Sequence, residues 1–281
     1  MQVGIGLPTT TAGADGALLI KWAGRADQGP FTSLGVVDRL LYDSYESLLA
    51  LAAAAAVTHR IWLATTIIIG PLRNPALLAK EAATLDALSG GRLVFGLAVG
   101  ARRDDYEAAG VDYSARGKLL DEQLATLRSH WEDGAIGPKP IQPGGPKLLI
   151  GGGSDISFMR MARYADGYVQ GGGPPRLFAR AAQKARSAWI DAGRPGQPRL
   201  WAQGYYALGD EATIAVGRSY LKDYYAFTGP FAEKIAEGLL TTPQAVAQFI
   251  RGYADAGCDE LVLFPTVSDL NQLDRLADII G

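Results

Sequence analysis

Short runs of aliphatic and β-branched residues alternate with stretches of helical periodicity along the whole 281-residue chain. The runs at 3–7, 33–38, 61–69, 93–99, 147–150, 167–170, 199–207 and 260–264 are bounded by turn residues and predict eight strands. Helical patterns at 16–25, 45–57, 75–88, 116–131, 156–164, 176–192 and 269–280, with a longer helical excursion over 211–256, place a helix after every strand. Several strands, such as Thr65-Thr66-Ile67-Ile68-Ile69 and Leu261-Val262-Leu263-Phe264, are apolar on both faces, as parallel strands covered by helices are. Eight such units in this length predict an α/β fold, a single-domain (β/α)8 barrel of the TIM type spanning 1–281. A doubly wound nucleotide-binding sheet fits less well. Its glycine fingerprint is incomplete after the first strand, which reads Gly4-Ile5-Gly6-Leu7-Pro8-Thr9, and no phosphate-loop motif occurs. The Pro/Gly-rich segment 134–146 falls inside the alternation and reads as a loop, with no domain boundary.

Composition narrows the partners. A hydrophobic fraction of 48% supports a large core, and 27 Lys plus Arg against 29 Asp plus Glu leave a net charge of −2, without the basic block that would hold nucleic acid or anionic lipid. The single cysteine, Cys258, rules out an intrachain disulfide framework and points to a reducing, cytoplasmic setting. The longest uncharged apolar stretches, 47–58 and 61–72, fall short of the roughly 20 residues of a membrane helix. Met1 leads straight into a strand-like run and the first positive side chain is Lys21, so no signal-peptide pattern is expected.

In a barrel, chemistry gathers where strands end. Two strand ends are glycine-rich: Gly151-Gly152-Gly153-Ser154 opens a helix, where backbone N–H groups and the Ser154 hydroxyl can surround an anion, and Gly171-Gly172-Gly173 precedes another. The same glycines also suit plain βα turns. Arg102-Arg103-Asp104-Asp105 offers either a phosphate-binding guanidinium or a solvated charged loop, and Asp38-Arg39 either an ion pair or a ligand contact. His59 precedes a strand and His130 lies late in a helix, so with two histidines and one cysteine no metal site or His-dependent nucleophile is expected. Lys80, Lys118, Lys184 and Lys222 all fall in helical patterns, which counts against an aldolase-type or isomerase barrel. A chain with few reactive groups of its own suits a phosphorylated cofactor that carries the chemistry.

The segment from Asn74-Pro75-Ala76-Leu77 through Asp86-Ala87-Leu88-Ser89-Gly90-Gly91-Arg92-Leu93 resembles the piece that joins strands three and four in luciferase-like flavin-dependent oxidoreductases. The resemblance continues in Asp105-Tyr106-Glu107-Ala108-Ala109-Gly110-Val111, Arg116, Ala165-Asp166-Gly167-Tyr168, Thr242-Pro243-Gln244-Ala245-Val246 and Ala256-Gly257-Cys258-Asp259-Glu260, and so covers almost the whole chain. It implies a barrel binding FMN or the deazaflavin F420 at the strand C-terminal face. The FMN branch takes reduced flavin from a separate reductase and uses oxygen on small organic or natural-product substrates, whereas F420 users transfer hydride. The superfamily also contains non-catalytic flavin-binding members, which tend to be truncated.

By that resemblance Asp38, Thr65, Thr66, Gly100 and Arg102 fall on the ring side of the cofactor, with Asp38, Arg39 and Arg102 as catalytic candidates. Gly151, Gly152, Gly153, Ser154, Gly171, Gly172 and Gly173 fall on the phosphate side. Arg39 stands where family members often have histidine, and the 131–146 segment is short where relatives carry an insertion over the mouth. The site is then either more open or closed by the helical excursion. The resemblance further implies a bulge or non-proline cis peptide at Thr65-Thr66 or Thr66-Ile67, and a homodimer formed through the alanine-rich helix at 45–57.

Overall fold

A computed structural model describes residues 1–134 and 136–281. Eight parallel strands close into one barrel in sequence order: β1 Gln2–Gly6, β2 Ser33–Val36, β3 Trp62–Ile69, β4 Leu93–Ala98, β5 Lys147–Gly151, β6 Gly167–Gln170, β7 Arg199–Tyr206 and β8 Glu260–Pro265. The covering helices are α1 Gly16–Gln28, α2 Ser47–Ala55, α3 Pro75–Leu88, α4 Arg103–Ala108, α5 Arg116–Asp133, α6 Asp155–Tyr164, α7 Pro175–Asp191, α8 Glu211–Tyr224, α9 Phe231–Glu237, α10 Pro243–Asp255 and α11 Asn271–Ile280. The single-domain (β/α)8 barrel anticipated from the alternation is the fold. The described residues of 134–146 form the loop from α5 to β5, and Ala135 lies outside them.

The two-residue period of each strand sorts its side chains into two cores. On β8, Leu261 and Leu263 join the layer between barrel and helices, while Val262 and Phe264 face the barrel interior. Leu148 and Leu149 on β5, and Leu200 and Trp201 on β7, divide in the same way. Both faces are apolar, which is why these strands carry no alternation of polar residues. Near the barrel axis the Phe264 ring occupies space left by missing side chains, since a Cβ on Gly6 would lie 2.1 Å from its Cδ1.

Carboxylates and a guanidinium tie down the strand N-terminal end. Asp27 accepts the backbone N–H groups of His59, Arg60 and Ile61, and Asp86 accepts those of Ile141 and Gln142. Arg92 donates to the Thr58 and Ile61 carbonyls. Asp86 and Arg92 belong to the segment with the strongest family resemblance, and here they are structural clamps. Asn74 caps α3 by accepting from the Ala76 and Leu77 N–H groups, with Pro75 at its first helical position.

Two differences from the sequence reading affect the site. Residues 103–108 form the short helix α4 where a charged loop was one expectation, and they carry Asp105 inside, its carboxylate accepting the Leu41 N–H at 2.8 Å. The excursion 211–256 breaks into α8, α9 and α10, because Gly229-Pro230 and Thr242-Pro243 interrupt helical hydrogen bonding. The end of α8 packs onto the C-terminal ends of the strands. Tyr220 meets Thr10 at 2.6 Å, Tyr225 meets Tyr205 at 2.7 Å, and Arg102 donates to the Tyr224 carbonyl at 2.8 Å.

Strand β3 is irregular where the resemblance placed a distortion. Its register on β4 shifts between Thr65 and Ile68, and the Thr66-Ile67 peptide is cis. Across the shift the Thr65 hydroxyl donates to the Gly96 carbonyl (2.9 Å) and accepts the Gly96 N–H (2.8 Å). A Cβ on Gly96 would sit 2.3 Å from the Thr65 carbonyl oxygen, so Gly96→Ala must push two bonded strands apart. We expect this variant to lose about 1–3 kcal/mol of stability, seen as a lower urea midpoint at unchanged slope. An unchanged midpoint would show that the strands yield at no cost.

Candidate functional site

A cavity of about 610 Å3, within the size range of small-molecule sites, lies at the C-terminal ends of β3 to β7. Its floor is backbone. Gly100 ends β4, Gly151, Gly152 and Gly153 end β5, and Gly171 and Gly172 end β6. Because β5 and β6 pair directly, the two glycine runs meet side by side. Gly152 has φ of 125° and Gly172 of 54°, conformations that disfavour side chains. A Cβ on Gly152 would also approach Ser157 Oγ to 2.4 Å, whereas one on Gly153 would meet no atom within 4 Å. The backbone thus turns left-handed immediately before α6, whose N-terminal N–H groups add positive potential beside the loop.

Side chains bring chemically different groups to the cavity. Arg180 and Lys184, one turn apart on α7, line it beyond the glycines, and Lys184 also pairs with Asp155 at 2.8 Å. Thr66 and Ile67 of β3 and the buried Gln203 of β7 complete the lining; Ile67 and the Gln203 amide adjoin Gly151 and Gly171, and Gln203 Oε1 has no hydrogen-bond partner among the described residues. Phe158 and Tyr168 form an aromatic wall with ring centroids 5.1 Å apart, and burial pushes the Tyr168 phenol up to about 12.

Of the residues expected from sequence, Thr66, Gly100, Gly151, Gly152, Gly153, Gly171 and Gly172 line this cavity together. Thr65 faces away to Gly96, and the Ser154 hydroxyl caps α6, 2.9 Å from the Ser157 hydroxyl. Asp38 sits on the far side of β3. Its Oδ2 accepts from Arg73 (2.7 Å) and the Ile69 N–H (2.8 Å), and its Oδ1 from Arg73 (2.9 Å) and the Ser47 hydroxyl (3.1 Å). All its acceptor positions are engaged, so it acts as a joint between β2, β3 and α2. Arg39 pairs with Asp104 at 3.0 Å and lies 4.8 Å over the Tyr42 ring. Arg102 is held between Tyr224 and Phe227, 4.5 and 4.4 Å from the ring centroids, and so fastens the end of α8 over the mouth.

Buried polar atoms without partners collect at this end of the barrel. Thr9 Oγ1, Arg39 Nε, Arg102 Nε, Asp105 Oδ2 and Gln203 Oε1 are among them. Because buried polar groups are nearly always paired, this concentration marks the end at which a polar ligand or ordered water completes the structure. Sequence reading missed Gln203, Arg180 and Lys184. Arg180 and Lys184 left a faint signal, two cations four residues apart on the helix after the second glycine run; Gln203 left none inside its strand. Among the described residues no cluster of metal-binding side chains occurs, and no helix is long and apolar enough to cross a membrane.

Comparisons with known proteins identify the family and the fold. A family model described as luciferase-like monooxygenase matches residues 1–256. An uncharacterized Mycobacterium tuberculosis protein is 35% identical over 169 residues, 54% of this chain and 59% of that protein. Pyrimidine monooxygenase RutA of Escherichia coli is 33% identical over 171 residues, 53% of this chain and 46% of RutA. The chain therefore spans about half the length of the curated relatives it matches. Among solved structures, monooxygenase RslO1 from Streptomyces bottropensis superposes with a TM-score of 0.82 at 20% identity, covering 100% of this chain and 97% of RslO1. An F420-dependent secondary alcohol dehydrogenase, in complex with an F420-acetone adduct, gives 0.80 at 18% identity, covering 99% and 97%.

The Asp38 joint yields a test. Arg73→Met removes both guanidinium bonds to Asp38, together with the 3.0 Å pair to the more exposed Glu46, and leaves a buried carboxylate without its cation, which we expect to cost about 3 kcal/mol, at the low end for breaking such a pair because Arg73 is partly exposed. Asp38→Asn combined with Arg73→Met should recover part of that loss in the same denaturation assay. A double variant no more stable than Arg73→Met would place the role of Asp38 outside this pair.

Proposed function

We propose, from the premise that the chain belongs to the luciferase-like monooxygenase family, that it is a flavin-dependent monooxygenase acting on a small organic molecule in the cytoplasm. The observation that carries this reading is the lining of the cavity at the ends of β3 to β7. It combines a backbone-lined cradle and two cations with an amide whose oxygen is unpartnered, an apolar strand bend and two aromatic rings. A phosphorylated ring cofactor matches that set of groups. The residues therefore fit FMN.

In this reading the N–H groups of 151–153 and of α6 hold the phosphate, with Arg180 and Lys184 neutralising its charge. Gln203 offers its free Oε1 to an N–H at the edge of the ring system, and Thr66 with Ile67 supports the ring face. The α8 segment, fastened by Arg102, keeps water from the mouth while the substrate is present. When bound, reduced flavin, delivered by a separate reductase, supplies the electrons for oxygen activation.

Assembly follows from the other face of the barrel. A groove of about 720 Å3 between α2 and α3 is bordered by Leu49, Leu77 and Leu88, which are 72%, 54% and 62% exposed. Leucines this exposed on adjoining helices form an apolar surface suited to burial against a second copy, and we propose a homodimer through it.

Two expected outcomes test these readings. A Cβ at 153 meets no atom within 4 Å, so Gly153→Val, which crowds the cradle, should leave thermal unfolding little changed while weakening reduced FMN by about 1–3 kcal/mol. Parallel titrations with FMN, reduced FMN and F420 decide the cofactor. Tight F420 binding without FMN binding would replace oxygenation by hydride transfer, and equal FMN affinity in Gly153→Val would move the phosphate elsewhere. For assembly, light scattering at micromolar concentration should give the dimer mass for the parent chain and a monomer mass for Leu49→Glu; a monomeric parent removes the proposal.

A further inference from the structure

A second space, of about 230 Å3, lies at the opposite end of the barrel, where strands β1, β3, β4, β5, β7 and β8 begin. Its inner wall is apolar and aromatic, made by Val94, Leu149, Trp62 and Trp201. Into this wall is set one carboxylate, Glu260, only 2% exposed.

The hydrogen bonds of Glu260 are one-sided. Oε1 accepts from the Thr32 hydroxyl at 2.5 Å and the Ser33 hydroxyl at 2.6 Å, whereas Oε2 has no hydrogen-bond partner among the described residues. No salt bridge reaches it either. Arg199, whose charge acts on Glu260 from the border of the space, places its Nε 3.9 Å from Asp259. Burial raises the affinity of Glu260 for a proton, and the two hydroxyl bonds only partly oppose this. Oε2 therefore opens onto the space itself, and a carboxylate so largely enclosed by apolar walls is stabilised when a cation meets it there.

We propose that this space binds a small alkylated ammonium ion, with its charge on Glu260 Oε2 and its alkyl groups against Trp62 and Trp201. Glu260 supplies the one buried acceptor of the space, with Gln2 and Asp166 nearer solvent, and a single buried acceptor among apolar walls selects the degree of alkylation. A primary ammonium brings three N–H donors and would leave two unpaired, whereas a trialkylammonium brings one donor and apolar surface. The indole faces add attraction for such a cation. Lys147 and Arg199 at the border project into solvent, where salt screens their repulsion, and Asp166 and Asp259 stand beside them. The binding is independent of the flavin reading, because no residue of this space lines the glycine-bounded cavity.

Calorimetric titration of the full chain with trimethylammonium chloride, at constant ionic strength set by sodium chloride, tests the proposal. We expect saturable one-to-one binding at least tenfold tighter than that of ammonium ion or of uncharged tert-butanol. Glu260→Gln keeps an amide oxygen for Thr32 and Ser33 but removes the charge, and should weaken binding at least tenfold. Trp62→Ala, at a side chain on a residue already 40% exposed, gives a second variant that does not depend on the Glu260 contacts and should also weaken binding. Absence of saturation, equal binding of tert-butanol, or affinity unchanged in both variants would overturn it.

Discussion

The two hydrogen bonds exchanged between the Thr65 hydroxyl and the backbone of Gly96 hold the barrel together at the point where its regular pairing fails. Below them β3 and β4 pair as Thr65 with Phe95, and above them as Ile68 with Leu97. A side-chain hydroxyl thus takes up backbone groups that the ladder leaves without their regular partners, as buried backbone requires. Gly96 is needed because any side chain would fill the space occupied by the Thr65 carbonyl. With the seam fixed, Thr66 and Ile67 reach the cavity and the Ile69 N–H reaches Asp38. The cavity wall and the joint with α2 therefore depend on the same irregularity.

The two ends of the barrel solve different problems. At the strand starts, Asp27, Asp86 and Arg92 saturate loop backbone with charge-assisted bonds, the arrangement expected of a face that supplies stability. At the strand ends, buried polar atoms stay unpaired, glycines replace side chains, and a tyrosine-rich segment covers the opening. Polar groups left unpaired inside a fold reduce its stability and are retained where a ligand uses them. Glu260 is the exception among the strand starts, since one of its oxygens is left open there.

How much of the site was legible depended on whether a residue's role is local. The glycine runs were legible because a backbone cradle at a βα turn is written in consecutive residues, and every glycine of the two runs lines the cavity except Gly173, whose carbonyl accepts from Tyr253. Asp38 was legible as an unusual charge at a strand end, but its engagement by Arg73 was not, because the two are 35 residues apart and meet only through the packing of β2 on β3. Ser154 and Thr65 have the right chemistry for a ligand and point it elsewhere, one to a helix cap and the other to a neighbouring strand. Gln203 carries no sequence signal because one polar residue in an apolar strand gains meaning only from what faces it.

By itself the sequence determined the alternation of eight strands and their helices, the closure this implies, and the family resemblance now matched over residues 1–256. These follow from periodicity, composition and contiguous motifs, properties that act between residues near in the chain. Tertiary structure alone decided that Arg180 and Lys184 face the glycine cradle, that Arg102 fastens the cover over the mouth, and that Glu260 opens onto a pair of tryptophans. Each joins residues far apart in sequence. Their partnership comes from strand register and helix packing, which no local pattern encodes.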